Sequence, residues 1–157
     1  MNNKGFTLIE LLATISLLAV LMMIAVPNII GVVNRNKNKT YVEDAKKLVA
    51  LAEYKVRSDP ANKPTNGEYF CFSMETLGEG EFDSTAPNGG MYDAKSSYVK
   101  VTKGEDNALQ YSVVLVENKN NKYTGILSEK TSDELYENDI STLITTGNYD
   151  QCNGVKK

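Results

Sequence analysis

The chain has no histidine, no tryptophan, two cysteines and two arginines, Arg35 and Arg57. Without histidine it lacks the commonest general base, the usual triad partner and the preferred zinc ligand. G-x-S-x-G elbows, Walker loops, C-x-x-C pairs and EF-hand spacings are missing as well. These absences point away from catalysis, and the chain reads as a non-catalytic protein with no cofactor. Charge is scarce at one end, where residues 1–33 contain only Lys4 and Glu10.

What is present is segregated. The 157 residues allow one modest domain, with a net charge of −3. Residues 34–57 hold seven Lys/Arg against Glu43, Asp44 and Glu53, whereas residues 58–157 hold nine against sixteen acids. An acidic bulk opposes nucleic acid as a partner.

The apolar run from Phe6 to Val33 carries one charge, Glu10, and the next charge is Arg35. About 20 apolar residues cross a bilayer core, so the run predicts a membrane-spanning helix. A secretory signal peptide would have a shorter core, a more basic flank and a small-residue cleavage site after it. Apolar residues then recur at Tyr41, Ala45, Leu48, Val49, Ala52 and Val56, one face of a continuing helix. Ser58-Asp59-Pro60 is the stop signal. Phe6–Arg57 as one helix would be on the order of 75–80 Å long, at about 1.5 Å per residue. The amphipathic part, 34–57, has a head to cover; the apolar part needs lipid or other copies of itself.

Pro27 and Gly31 interrupt the helical pattern, and a kink or local melting is expected at residues 23–31. Two readings stand side by side: an ordinary transmembrane proline, or a place where the helix stretches on packing into a polymer.

Residues 58–157 form the head. Turn formers dominate 58–97, which predicts a long, mostly irregular connection with a short strand at Glu68–Ser73. Strands are expected at Tyr98–Lys103, Leu109–Glu117 and Tyr123–Ser128, with a turn at Gly104–Asn107 and a polar loop at Asn118–Lys122. The tail, 129–157, is weakly patterned, with Ser132 or Asp139 as candidate caps of a short helical turn. The fold class is α+β: a long N-terminal helix packed on a small antiparallel meander spanning about 98–128.

The octapeptide Lys4-Gly5-Phe6-Thr7-Leu8-Ile9-Glu10-Leu11 is the most informative stretch. An ionised carboxylate at the start of an uncharged span costs at least about 2.5 kcal/mol, so Glu10 calls for a partner or a purpose. Alone, it is equally well read as a helix-end acid snorkelling to the interface, helped by the helix dipole. The whole of K-G-F-T-L-I-E-L before an apolar helix resembles the class III signal of type IV prepilins and pseudopilins. The likeness is in motif over Lys4–Val33 and in architecture beyond it.

The resemblance implies that a membrane prepilin peptidase cuts between Gly5 and Phe6. The leader, residues 1–5, is discarded and the new Phe6 amine methylated. Glu10 then pairs with the Phe6 amine of a neighbouring subunit, within a filament of copies of this chain and other pilins. Two groups, each costly alone in an apolar core, neutralise one another there. An assembly ATPase and a platform protein act indirectly. The location implied is the cytoplasmic membrane as a single-pass precursor, then an extracellular pilus. The positive-inside rule opposes this topology, because Arg35, Lys37 and Lys39 outnumber Lys4 and the amino terminus. The motif is given precedence, since cleavage needs a cytoplasmic leader.

In an exported head, Cys71 and Cys152 form a candidate disulfide across 81 positions, a bridge that the loop-entropy account values at about 4–5 kcal/mol. Two buried thiols are the alternative. Because Cys71 precedes the meander, the disulfide-bounded C-terminal loop of many pilins is not reproduced. Glu79, Glu81 and Asp83 are weak candidates for calcium, against the ordinary reading of a solvated acidic loop. Asn38-Lys39-Thr40 fits a glycosylation sequon but falls on the predicted helix.

Three functions compete. The leading expectation is a pilus subunit serving adhesion, twitching motility or aggregation. The second is a pseudopilin or minor pilin of a type II secretion or DNA-uptake machine. The third is a single-pass anchored binding module that never polymerises.

Overall fold

A computed structural model describes residues 5–78, 82–104 and 106–143. The chain divides into two compact units, Met1–Asn36 and Lys37–Lys157.

The first unit is helical. Helix α1 runs Leu8–Ser58, starting two residues inside the expected Phe6 and ending at the Ser-Asp-Pro stop. Every described side chain from Leu8 to Asn36 is exposed. The polar ones turn back on the helix itself: Thr14 Oγ1 donates to the Leu11 carbonyl and Ser16 Oγ to the Leu12 carbonyl, both at 2.8 Å. Helical backbone continues through Pro27 and Gly31, so the local melting expected there is not found.

The second unit is built on the rest of α1. The predicted face is the buried one: Tyr41, Ala45, Leu48, Val49, Ala52 and Val56 are all at most 6% exposed. Against it lies an antiparallel sheet of β1 (Tyr69–Ser73), β2 (Met91–Tyr92), β3 (Tyr98–Lys103), β4 (Leu109–Lys119), β5 (Lys122–Thr131) and β6 (Ser141–Leu143). Its order is β1-β3-β4-β5-β6, with β2 beside the end of β4. Phe72, Val99, Val101, Val113, Leu115 and Ile126 meet the helix in one core. Cys71, Tyr98, Val114 and Val116 form a second buried cluster. Strand parity accounts for the division, since successive side chains point to opposite faces.

The head departs from expectation in several places. Residues 58–97 are more ordered than an irregular connection. A 3₁₀ turn at Pro60–Asn62 is capped by Asp59, and a short helix α2 (Met74–Leu77) is capped by Ser73. Strand β2 is held by Glu117 and Asn118 across the sheet. The Asn118–Lys122 loop shrinks to Asn120 and Asn121, with φ of 53° and 60°, because asparagine tolerates the left-handed conformation a two-residue hairpin turn needs. Strand β4 therefore gains Asn118 and Lys119, and β5 reaches Thr131 instead of Ser128. Gly125 (φ +141°) pairs with Val116 of β4, where a Cβ would lie 2.1 Å from the Leu115 carbonyl oxygen. Beyond Glu129, 3₁₀ turns form at Ser132–Glu134 and Glu137–Asp139. Of the two candidate caps, Asp139 caps its turn from the third position, as half of a capping box, and Ser132 does not. Ser132 is inside its turn, and Asp139 ends its turn, accepting the Tyr136 amide proton at 2.8 Å.

A polar seam runs through this packing. The Tyr41 hydroxyl donates to the buried Glu117 carboxylate and accepts from Asn88 Nδ2 at 3.0 Å. The other Glu117 oxygen takes the Gly90 amide proton at 2.9 Å. Nearby, the Tyr92 hydroxyl donates to Asp44 at 2.9 Å; burial first, then the Asp44 charge, pushes its pKa above the ordinary phenolic range. Removing one partner of a buried charged bond is the costly change. We expect Tyr41→Phe to cost about 2–3 kcal/mol, because Glu117 stays behind under-satisfied. Tyr92→Phe should cost less, since Lys47 still reaches Asp44 at 3.2 Å. Thermal unfolding of the detergent-solubilised chain checks the order; equal midpoints for the two variants would refute it.

Candidate functional site

The site is the first turn of α1. Leu8, Ile9 and Glu10 are the first three helical residues, so Thr7 occupies the N-cap. Thr-Leu-Ile-Glu is a Thr-x-x-Glu capping box. Glu10 Oε2 accepts the Thr7 amide proton at 2.9 Å and the Thr7 hydroxyl proton at 2.8 Å. The Thr7 hydroxyl oxygen in turn accepts from the Glu10 amide at 3.3 Å. The first helical bond, Leu11 N–H to the Thr7 carbonyl, closes at 3.2 Å.

A helix start leaves four amides without helical partners, and in lipid each unsatisfied one costs several kcal/mol. Thr7 and Glu10 answer two of them. Among the described residues, the second Glu10 oxygen, Oε1, accepts no hydrogen bond, so the carboxylate both holds its own helix and keeps an oxygen for an outside donor. Thr7 was not singled out by the sequence reading, although the box spacing could have shown it.

Around this acid the surface is apolar. Phe6 is 81% exposed, Leu8 82% and Ile9 76%, and no other described residue of the unit covers them. Residues from Leu8 onward form a helix long and apolar enough to cross a membrane by length and composition. Gly5 precedes it with open space around its Cα, since an added Cβ would meet nothing within 4 Å.

The structure brings Gly5, Phe6 and Glu10 into one turn-length stretch and leaves the other candidates elsewhere. Cys71 is buried on β1 in the second cluster, while Cys152 lies outside the described residues. Glu79 and Glu81 also lie outside them. Asp83 accepts the Thr85 amide proton at 2.9 Å, a local turn bond that lowers its pKa. Among the described residues no group of three metal-ligating side chains occurs.

Residues 1–26 match the family model for the prokaryotic N-terminal methylation motif. No curated protein and no solved structure matches the chain. The pilin-type proteins bearing this motif are structural rather than enzymatic. Residues 1–26 thus carry the class III signal, the N-terminal methylation motif of type IV pilins and pseudopilins.

Proposed function

We propose that this chain is the structural subunit of a type IV pilus, assembled through α1 after cleavage between Gly5 and Phe6. The observation that carries the reading is Glu10: a carboxylate at the head of an apolar helical stretch whose described side chains, from Leu8 to Asn36, are all exposed. Cleavage turns the Phe6 nitrogen into a cationic amine. Glu10 Oε1 on a neighbouring copy is then its complement, and the methylation motif supports modification of that same amine. Pairing fixes the axial register between subunits, while exposed Leu, Ile, Val and Met side chains supply adhesion without direction. Pro27 and Gly31 are the places where α1 bends or stretches as it packs. The head stays outside, its Cys71 bonded to Cys152 in an oxidising compartment.

A pseudopilin or minor pilin shares every step up to assembly and differs in filament length and abundance. Electron microscopy of sheared surface filaments, with N-terminal sequencing of their dominant protein, separates the two. Long fibres whose main chain begins at Phe6 are the expected result. Normally expressing cells without such fibres would overturn it in favour of the pseudopilin role.

A further inference from the structure

The sheet has a second apolar face. Strand parity puts Cys71, Tyr98, Val114 and Val116 on the side away from α1, with Tyr123 and Leu127 packed against them. Among the described residues, every apolar side chain of this cluster comes from a strand, whereas α1, α2, Phe82 and Leu135 all contribute to the helix-side core. A core needs two packed layers, and a single layer of strands does not bury its own face. Yet Cys71 is 1% exposed, Val114 2% and Val116 0%. Lys100 and Glu129 share this face and pair at 3.1 Å, but both stay partly in solvent.

The chain continues past β6 as residues 144–157, which lie outside the described residues, and its length limits where it can go. Leu143, the last residue of β6, pairs with Tyr123, which in turn pairs with Asn118 of β4. Cys71 pairs with Lys100, level with Ser112, six residues back along β4 from Asn118. In the order β1-β3-β4-β5-β6, Leu143 and Cys71 are four strand spacings apart. At ~4.8 Å per spacing and ~3.3 Å per residue, the diagonal between them is on the order of 28 Å. Nine residues lead from Leu143 to Cys152 and extend at most about 32 Å, while the two Cα atoms of a disulfide stand at most ~7 Å apart. Little slack remains. The direct path crosses β4 midway between Ser112 and Asn118, over Val114 and Val116.

We infer that residues 144–152 form a strap over this second face of the sheet, running from β6 to β1 and latched there by a Cys71–Cys152 bond. The inference rests on the proposed reading of that bond. The latch closes when the two thiols exchange with a disulfide oxidant of the exporting compartment, which is reduced to its dithiol. The strap supplies the second layer, so the head offers its neighbours no uncovered sheet face and copies pack through α1.

The full-length chain in detergent provides the test. Disulfide mapping by mass spectrometry should find Cys71 joined to Cys152. The photocrosslinker p-benzoylphenylalanine, placed mid-strap instead of Asn148, should join β3 or β4 of its own chain, and Cys152→Ser should lower that yield at least fivefold. The chain lacks tryptophan, so a single introduced indole reports one face. Tyr98→Trp should be quenched by aqueous iodide at least twofold more strongly in the Cys152→Ser background than in the bonded chain. Phe72→Trp, in the helix-side core, should respond alike in both, which separates uncovering from unfolding. A bonded chain whose crosslinks fall on α1 or on a second copy overturns the strap and leaves the bond standing. So does a Tyr98→Trp equally shielded with and without the latch. A chain in which Cys71 and Cys152 are not joined overturns both.

Discussion

Glu10→Val should still insert and still be cut, with mature chains beginning at Phe6, but its filament yield should fall by a hundredfold or more. An amine left unpaired in an apolar core costs several kcal/mol, and about 3 kcal/mol already corresponds to more than a hundredfold in incorporation. Valine, however, removes two things at once, because Glu10 also closes the capping box with Thr7. Glu10→Gln separates them. A glutamine oxygen can still accept from Thr7, so the helix start survives, but the charge is gone. If the charge pair drives assembly, Glu10→Gln should assemble nearly as poorly as Glu10→Val. A capping role alone would leave Glu10→Gln close to normal. Immunoblots of sheared filaments against whole-cell levels give the ratio, and N-terminal sequencing shows that processing is intact.

How far this site could be read in advance depends on which residues carried it. K-G-F-T-L-I-E-L was legible because its chemistry is local: one acid, one scission glycine, one uncharged run. The capping partnership of Thr7 is equally local, a Thr-x-x-Glu spacing within the same eight residues. In the head, the long amphipathic face and the Tyr98–Lys103 strand matched expectation because each repeats its own period over several residues. Strands β2 and β6 did not announce themselves. They have two and three residues, and they exist through pairing with β4 and β5, which no local pattern encodes.

Glu117 marks the limit in another way. A charged residue near the end of a strand suggests solvent, yet it is 1% exposed. Parity places it on the same face as Val113 and Leu115, which was readable. Its partner, Tyr41, lies 76 positions earlier in the chain, which was not. The hairpin was mis-sized for a related reason: Asn118–Lys122 is uniformly polar, and only the left-handed tolerance of Asn120 and Asn121 identifies the two turn residues.

Gly5→Arg should give uncut precursor, retained in the membrane fraction and missing from filaments. The substitution meets no obstacle inside the chain, because a side chain at Gly5 enters open space. Helix α1, its capping box and the head are then built as before, and the loss belongs to processing alone. Its consequence is chemical. While Gly5 remains attached, the Phe6 nitrogen is an amide without charge, so it offers nothing to Glu10 of a neighbour. Gly5→Arg and Glu10→Val should therefore share a filament defect while differing at the amino terminus. The first keeps Met1 and the mass of residues 1–5, whereas the second begins at Phe6. Co-expression with the unsubstituted chain sharpens the comparison, because each variant removes a different half of the pair. Filaments of normal yield built from chains that still begin with Met1 would show that α1 packs without its amine, and the charge pair would lose its place in assembly.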